Sequence, residues 1–319
     1  MNRFLPNFKS QILQVMRAPK DKRLLKHFYD SLDRFKSIEE TDFWESFYEL
    51  THSRKWNFPQ ICDEYVLGNF FPRQCSEIGD KMEILFSRNI QYEIRWWIAC
   101  FQLCAKQLNF FIESRRQYDT YILLGEYEKA LQTLNSLEQQ IGVSFWFYES
   151  KIFVYSRLGM DVKDLVQKLP SNSNTSIINF YVMKNLDTVT YTEYTKILEN
   201  ALKSNDDADF VTYIKYRLLP MEYEMESKDY LPIMMCANDC PLVDRYLIFL
   251  DIFENILLQD LSQYKFILSR YTVHLEGVND ERLQAMCFCV GSLQDRLKYK
   301  AKHKLLKAKE YLIAGDIGK

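Results

Sequence analysis

The 319-residue chain predicts an all-α fold, and three observations carry that expectation. Glycine and proline are scarce, nine and eight, and no Asn-Gly or Asp-Gly pair occurs, so the usual two-residue turns of β-hairpins are missing. Apolar residues recur with helical period, as at Phe43, Phe47 and Leu50, at Leu131, Leu134 and Leu137, and at Leu247, Leu250, Phe253 and Leu257. Two segments share one form: an apolar helix, a glycine, then a polar helix start. Their glycines, Gly125 and Gly159, stand 159 − 125 = 34 positions apart, an interval that in a helical chain marks a repeated unit.

Taken in order, helices are expected over 21–35 and 39–54, the second opened by Ser37-Ile38-Glu39-Glu40 in the form of a capping box. An irregular stretch carrying Pro59, Gly68, Pro72 and Gly79 separates them from an apolar run over 81–113, long enough to divide in two. Helices follow at 115–124, 127–140, 145–158 and 161–168. The polar run Pro170-Ser171-Asn172-Ser173-Asn174-Thr175 reads as a loop and a seam. Beyond it come 176–185, 191–204, 207–219, 241–258 and 261–272, then a stretch over 279–313 that again divides. Asp206, Asp207 and Asp209 open the helix at 207 and offset its dipole. The organisation is an N-terminal helical region over 1–80 and a helical array over 81–319.

The segment Tyr121-Ile122-Leu123-Leu124-Gly125-Glu126-Tyr127-Glu128-Lys129-Ala130-Leu131 resembles a unit of the tetratricopeptide repeat, with Gly125, Tyr127 and Ala130 at the turn and the following packing face. The second segment keeps Gly159 and Leu165 but places Asp164 where the small alanine belongs. The resemblance spans residues 115–165. It implies an irregular α-solenoid of paired helices, with the N-terminal region as a cap. It also implies a groove that binds a protein or peptide segment, lined by Arg115, Arg116, Tyr118, Tyr121, Trp146, Tyr148 and Tyr155. The expected function is a non-enzymatic interaction scaffold or adaptor.

Composition bounds the alternatives. A net charge of −2 gives no global field for nucleic acid or an anionic membrane. Met1-Asn2-Arg3-Phe4-Leu5-Pro6 is followed by Asn7, Lys9 and Ser10, which interrupt any apolar signal core. Apolar runs such as Trp96 to Phe101 fall far below the roughly 20 residues needed to span a bilayer. A cytoplasmic location follows, with the eight cysteines as free thiols. No P-loop, dinucleotide fingerprint, nucleophile elbow or His-Glu-x-x-His occurs, and no cofactor is expected. Cys100 and Cys104, and Cys236 and Cys240, are spaced to share a helical face, but their apolar setting reads as core and no metal is expected. The adjacent Trp96 and Trp97 cannot share one face, which leaves one ring at a helix rim.

The last stretch carries the one nucleic-acid signal. Arg296, Lys298, Lys300, Lys302, Lys304, Lys307 and Lys309 form a basic helix able to meet phosphates or an acidic protein surface. Within it, Arg296 and His303 enclose six residues, a spacing that resembles the Arg-x(4–6)-His motif of the HEPN family of metal-independent ribonucleases. That resemblance implies His303 as general base or acid and Arg296 as the phosphate-steadying cation, although Leu297 replaces the family's polar residue after the arginine.

Overall fold

The computed structural model describes residues 4–18, 20–52, 58, 62, 70–78, 86–162, 165, 173–186, 189–259, 262–275 and 277–289. Among them no strand occurs, and fourteen α-helices do. They are α1 (Phe4–Arg17), α2 (Lys22–Ser37), α3 (Glu40–His52), α4 (Ile90–Leu103), α5 (Ala105–Leu123), α6 (Tyr127–Ile141) and α7 (Phe145–Arg157). After these come α8 (Ser173–Lys184), α9 (Tyr191–Lys203), α10 (Ala208–Leu218), α11 (Tyr230–Cys236), α12 (Leu242–Leu258), α13 (Ser262–Tyr271) and α14 (Glu281–Cys289). The basic stretch 296–309, with Arg296 and His303, lies outside the described residues, as do Trp56 and most of 161–168.

Local chemistry starts these helices. Asp21 accepts the Arg23 and Leu24 amides at 2.9 and 3.3 Å, Asn89 accepts Gln91 N–H at 3.0 Å, and Ser144 accepts Phe147 N–H at 3.1 Å. Thr190 and Glu193 form a reciprocal capping box at α9. Asp207 accepts the amides of Asp209 and Phe210, so the acidic cluster there does cap a helix.

Several boundaries differ from the sequence reading. Helix α1 was missed: Pro6 and the polar residues near it obscured Phe8, Ile12 and Val15, one buried stripe at helical spacing. Ser37 does not cap α3; its hydroxyl donates to the Arg34 carbonyl at 2.9 Å, and it is the last residue of α2. The long apolar run breaks at Cys104, where φ is −104° and ψ 20°, and α5 then continues through the buried Ser114 without interruption. Helix α8 begins at Ser173, inside the expected loop. Cys236 and Cys240 do not share a helical face, because α11 ends at Cys236 and a 3-10 turn over 237–239 intervenes.

The core gathers around α4 and α12. Every residue from Glu93 to Phe101 is buried, the signature of a helix packed on all sides, and α12 is buried except for a half-buried stripe of Leu247, Asp251, Asn255 and Leu258. Phe101 meets Tyr246 and Phe249 at centroid distances of 5.3 and 5.5 Å. Both Trp96 and Trp97 are therefore buried, since neighbouring helices cover both faces and leave no rim. On the N-terminal side, buried Lys36 pairs with buried Glu93 at 2.8 Å. Arg95 donates to the carbonyls of Lys36 and Ile38, and Trp44 stacks on His274 at 3.5 Å. Burial holds the Glu93 carboxyl above its ordinary value, with Lys36 pulling the other way.

Candidate interaction surface

The two glycine turns are built alike. Gly125 and Gly159 have φ of +72° and +65°, the left-handed region that a glycine enters without steric cost. In each, the next residue's amide reaches back over the helix end, Glu126 to the Tyr121 carbonyl at 2.8 Å and Met160 to the Tyr155 carbonyl at 2.9 Å. The glycine amides bond the Ile122 and Ser156 carbonyls. This is the Schellman arrangement, which satisfies carbonyls that would otherwise be orphaned at a helix end.

Side-chain contacts then fix how the helices run. Trp146 sits edge-on to Phe111 and Tyr118, and Tyr118 hydroxyl donates to the Ser150 carbonyl at 3.4 Å. Helices α5 and α7 thus lie side by side in the same direction. Ser156 hydroxyl donates to the Asn185 carbonyl at 3.2 Å, which brings the end of α8 beside the end of α7. Arg217 Nε donates to Tyr181 hydroxyl at 2.9 Å, which does the same for α10 and α8. Tyr194 hydroxyl donates to the Leu218 carbonyl at 3.3 Å, so α9 begins where α10 ends. The turns that follow α5, α7 and α8 consequently lie toward one side, whereas Arg217 near the end of α10 reaches Asp244 at the N-terminus of α7.

The expected groove residues separate by burial. Tyr118 and Tyr148 are in the core, 2% and 8% exposed, Tyr148 with its hydroxyl against Cys75. Burial pushes the Cys75 thiol up to about 11 and raises both tyrosines. Trp146 is half-buried in its aromatic cluster. Arg115 is half-buried, and Arg116 is exposed and pairs with Glu281 at 2.7 Å. Beside it Asn109 donates to the Gly277 carbonyl and accepts the Asn279 amide, so the loop before α14 is bracketed onto α5. Tyr121 and Tyr155, each four residues before a glycine turn, remain partly exposed; Lys129 Nζ lies 5.6 Å from the Tyr121 ring centroid.

What the sequence reading missed is the polar centre beneath this surface. Asp244, fully buried on α12, accepts the Phe145 and Trp146 amides at 2.8 and 3.1 Å and Arg217 at 2.6 Å. A carboxylate from one helix thereby closes the N-terminus of α7, where the dipole favours negative charge. Arg217 also lies over Phe145, 4.8 Å from its centroid. A second knot ties α14 to α12: Arg282 meets Asp251 and Glu254 at 2.7 and 2.5 Å, and Asp280 accepts Tyr246 hydroxyl and the Arg282 amide. The visible signal was Asp244-Arg245, with Asp251 and Glu254 further on, charges set inside a strongly apolar helix.

Six of the eight thiols are buried, and Cys236 and Cys287 are half-buried. Cys100 and Cys240 are pushed up to about 12 and about 11, in both cases chiefly by burial. Among the described residues no cluster of three or more His, Cys, Asp or Glu is placed to hold a metal ion, and no helix is long and apolar enough to cross a membrane. Comparison of the chain with protein-family models, with curated proteins and with solved structures finds no match.

Proposed function

We propose that this chain is a non-enzymatic interaction scaffold, a cytoplasmic adaptor whose tetratricopeptide-like hairpins stack as an irregular solenoid and recognise a segment of a partner protein. The observation that supports this most directly is the equivalence of the Gly125 and Gly159 turns, alike in φ, in hydrogen bonding and in the partly exposed tyrosine, Tyr121 or Tyr155, that precedes each by four residues. Repetition of one hairpin generates an extended surface rather than a single enclosed cleft, and extended surfaces suit chains more than small substrates. Eight thiols in no disulfide, six of them buried, fit a reducing compartment.

The test is capture of the tagged chain from its own host at low and at high salt, with both protein and nucleic acid identified in the eluate. A stoichiometric protein partner retained at high salt is the expected result. Nucleic acid released by salt, with no protein partner, would overturn the scaffold reading and transfer the function to the basic stretch 296–309.

A further inference from the structure

We infer that the turn joining α1 to α2 is a docking tip for an anionic membrane surface. Between Met16 and His27 the described residues carry five exposed cations, Arg17, Lys20, Lys22, Arg23 and Lys26, against one exposed acid, Asp21. That is a local charge of +4 in a chain whose net charge is −2. The two helices meet as a hairpin: Phe8 stacks on Phe28 and Phe35 at centroid distances of 5.9 and 5.2 Å. The turn is drawn in by the Ala18 amide on the Gln14 carbonyl at 3.0 Å and the Asp21 amide on the Ala18 carbonyl at 3.1 Å. Arg17, which ends α1, and Lys22 and Arg23, which begin α2, are thereby gathered at one tip, with Lys26 one helical turn further on. Helix α2 is anchored at its other end, where Lys36 pairs with Glu93. At 1.5 Å per residue, Lys22 stands about 21 Å from Lys36 along the axis, so the cations lie at the end remote from α4.

Folding alone does not account for these charges. Arg17 suits the C-terminus of α1, but Lys22 and Arg23 occupy the first turn of α2, where the helix dipole disfavours cations. The nearby acid is engaged elsewhere, since Asp21 accepts the Arg23 and Leu24 amides. Among the described residues none of the five cations is held in an ion pair. Met16 then chooses among anionic partners. It is 42% exposed and directly precedes Arg17, and half-buried Leu24 and Leu25 follow the first cations of α2. An apolar side chain among lysines and arginines gains by entering the headgroup boundary of a bilayer, whereas a phosphate backbone gives it nothing to enter. Clusters of roughly four to eight such cations are the pattern that recognises anionic lipid on the cytoplasmic leaflet. The tip shares no residue with the segment 115–165 on which the scaffold reading rests.

The experiment sediments the full chain with vesicles of phosphatidylcholine alone and with vesicles of phosphatidylcholine and phosphatidylserine, at low and at high salt. Binding to the mixed vesicles only, weakened by salt, is the expected result. Each cation removed should lower the partition coefficient about fivefold, so Lys22→Gln/Arg23→Gln/Lys26→Gln should lower it about a hundredfold. Met16→Ser should lower it several-fold. All four positions are exposed, so circular dichroism should be unchanged and Tm should not fall. The variant Lys298→Gln/Lys300→Gln/Lys302→Gln, in the other basic stretch, should bind as the wild type does. Equal sedimentation with both kinds of vesicle, none with the mixed vesicles, or undiminished binding of the Lys22, Arg23 and Lys26 variant would overturn the proposal. So would loss of binding in the Lys298, Lys300 and Lys302 variant alone. A fluorescein-labelled RNA duplex bound by the wild type, lost in the Lys22, Arg23 and Lys26 variant and indifferent to Met16→Ser, with no binding to vesicles, would also overturn it and give the tip to nucleic acid.

Discussion

Asp244 shows how one side chain can organise several helices. Its carboxylate is fully buried, closes the N-terminus of α7 and pairs with Arg217 of α10, which in turn donates to Tyr181 of α8. Removing one partner of a buried pair leaves the other charge uncompensated, at a cost of about 3–5 kcal/mol. Asp244→Ala should therefore lower the urea midpoint strongly, and the double variant Asp244→Ala/Arg217→Met should be more stable than Asp244→Ala alone. Additive losses in that cycle would show that the two charges act independently. Sequence marks Asp244 as unusual for its apolar surroundings, but only the fold says that its partners lie in α7 and α10.

At the scale of the helical element, three glycines with positive φ behave differently. Gly125 and Gly159 have open space where a Cβ would stand, so their only demand is the left-handed backbone. Gly142 ends α6 at φ +85° and ψ −154°, and its missing Cβ leaves room for the Pro72 carbonyl, which accepts the Val143 amide at 2.7 Å. Gly125→Ala should cost about 1–2 kcal/mol from backbone strain alone. Gly142→Ala should cost more, since it enters a region reserved for glycine and drives a methyl group into backbone. Chemical denaturation of the two variants side by side checks this; equal losses would mean that the 70–73 segment yields without penalty.

For the whole molecule, burial of many titratable groups around α4 and α12 makes stability depend on pH on the alkaline side. Cys100 and Cys240 rise from a usual 9.0 to about 12 and about 11, and burial also raises Tyr118, Tyr181, Tyr213 and Tyr246. A group raised in the folded state favours the native protein while both states keep the proton, and loses that contribution as pH climbs through the folded value. Tm should thus hold steady up to about pH 9 and fall between pH 9 and 12. A Tm that is flat across this range would show that these groups ionise without unfolding the chain. The same burial predicts that a thiol reagent labels Cys100 and Cys240 only after denaturation, a comparison that mass spectrometry reads directly.

Helix content, most helix positions and the two glycine turns were legible in the chain, because a periodic apolar face, a capping side chain and a left-handed glycine act within a few residues of one another. The Phe43, Phe47 and Leu50 stripe is buried as its spacing requires, and Gly125 and Gly159 take the backbone that their setting foretells. Burial of a given face is a different matter, since it depends on which distant helix lies across it. Tyr118 and Tyr148 look like groove residues until helix and loop neighbours enclose them, and one of Trp96 and Trp97 looks like a rim residue until α4 proves to be surrounded. The bracket of Arg116 and Asn109 onto residues 277–281, and the reach of Asp244 to α7, join positions about a hundred or more apart in the chain. Local patterns specify elements; long-range contacts of this kind arise only when the elements pack, and they decide which side chains face the outside world.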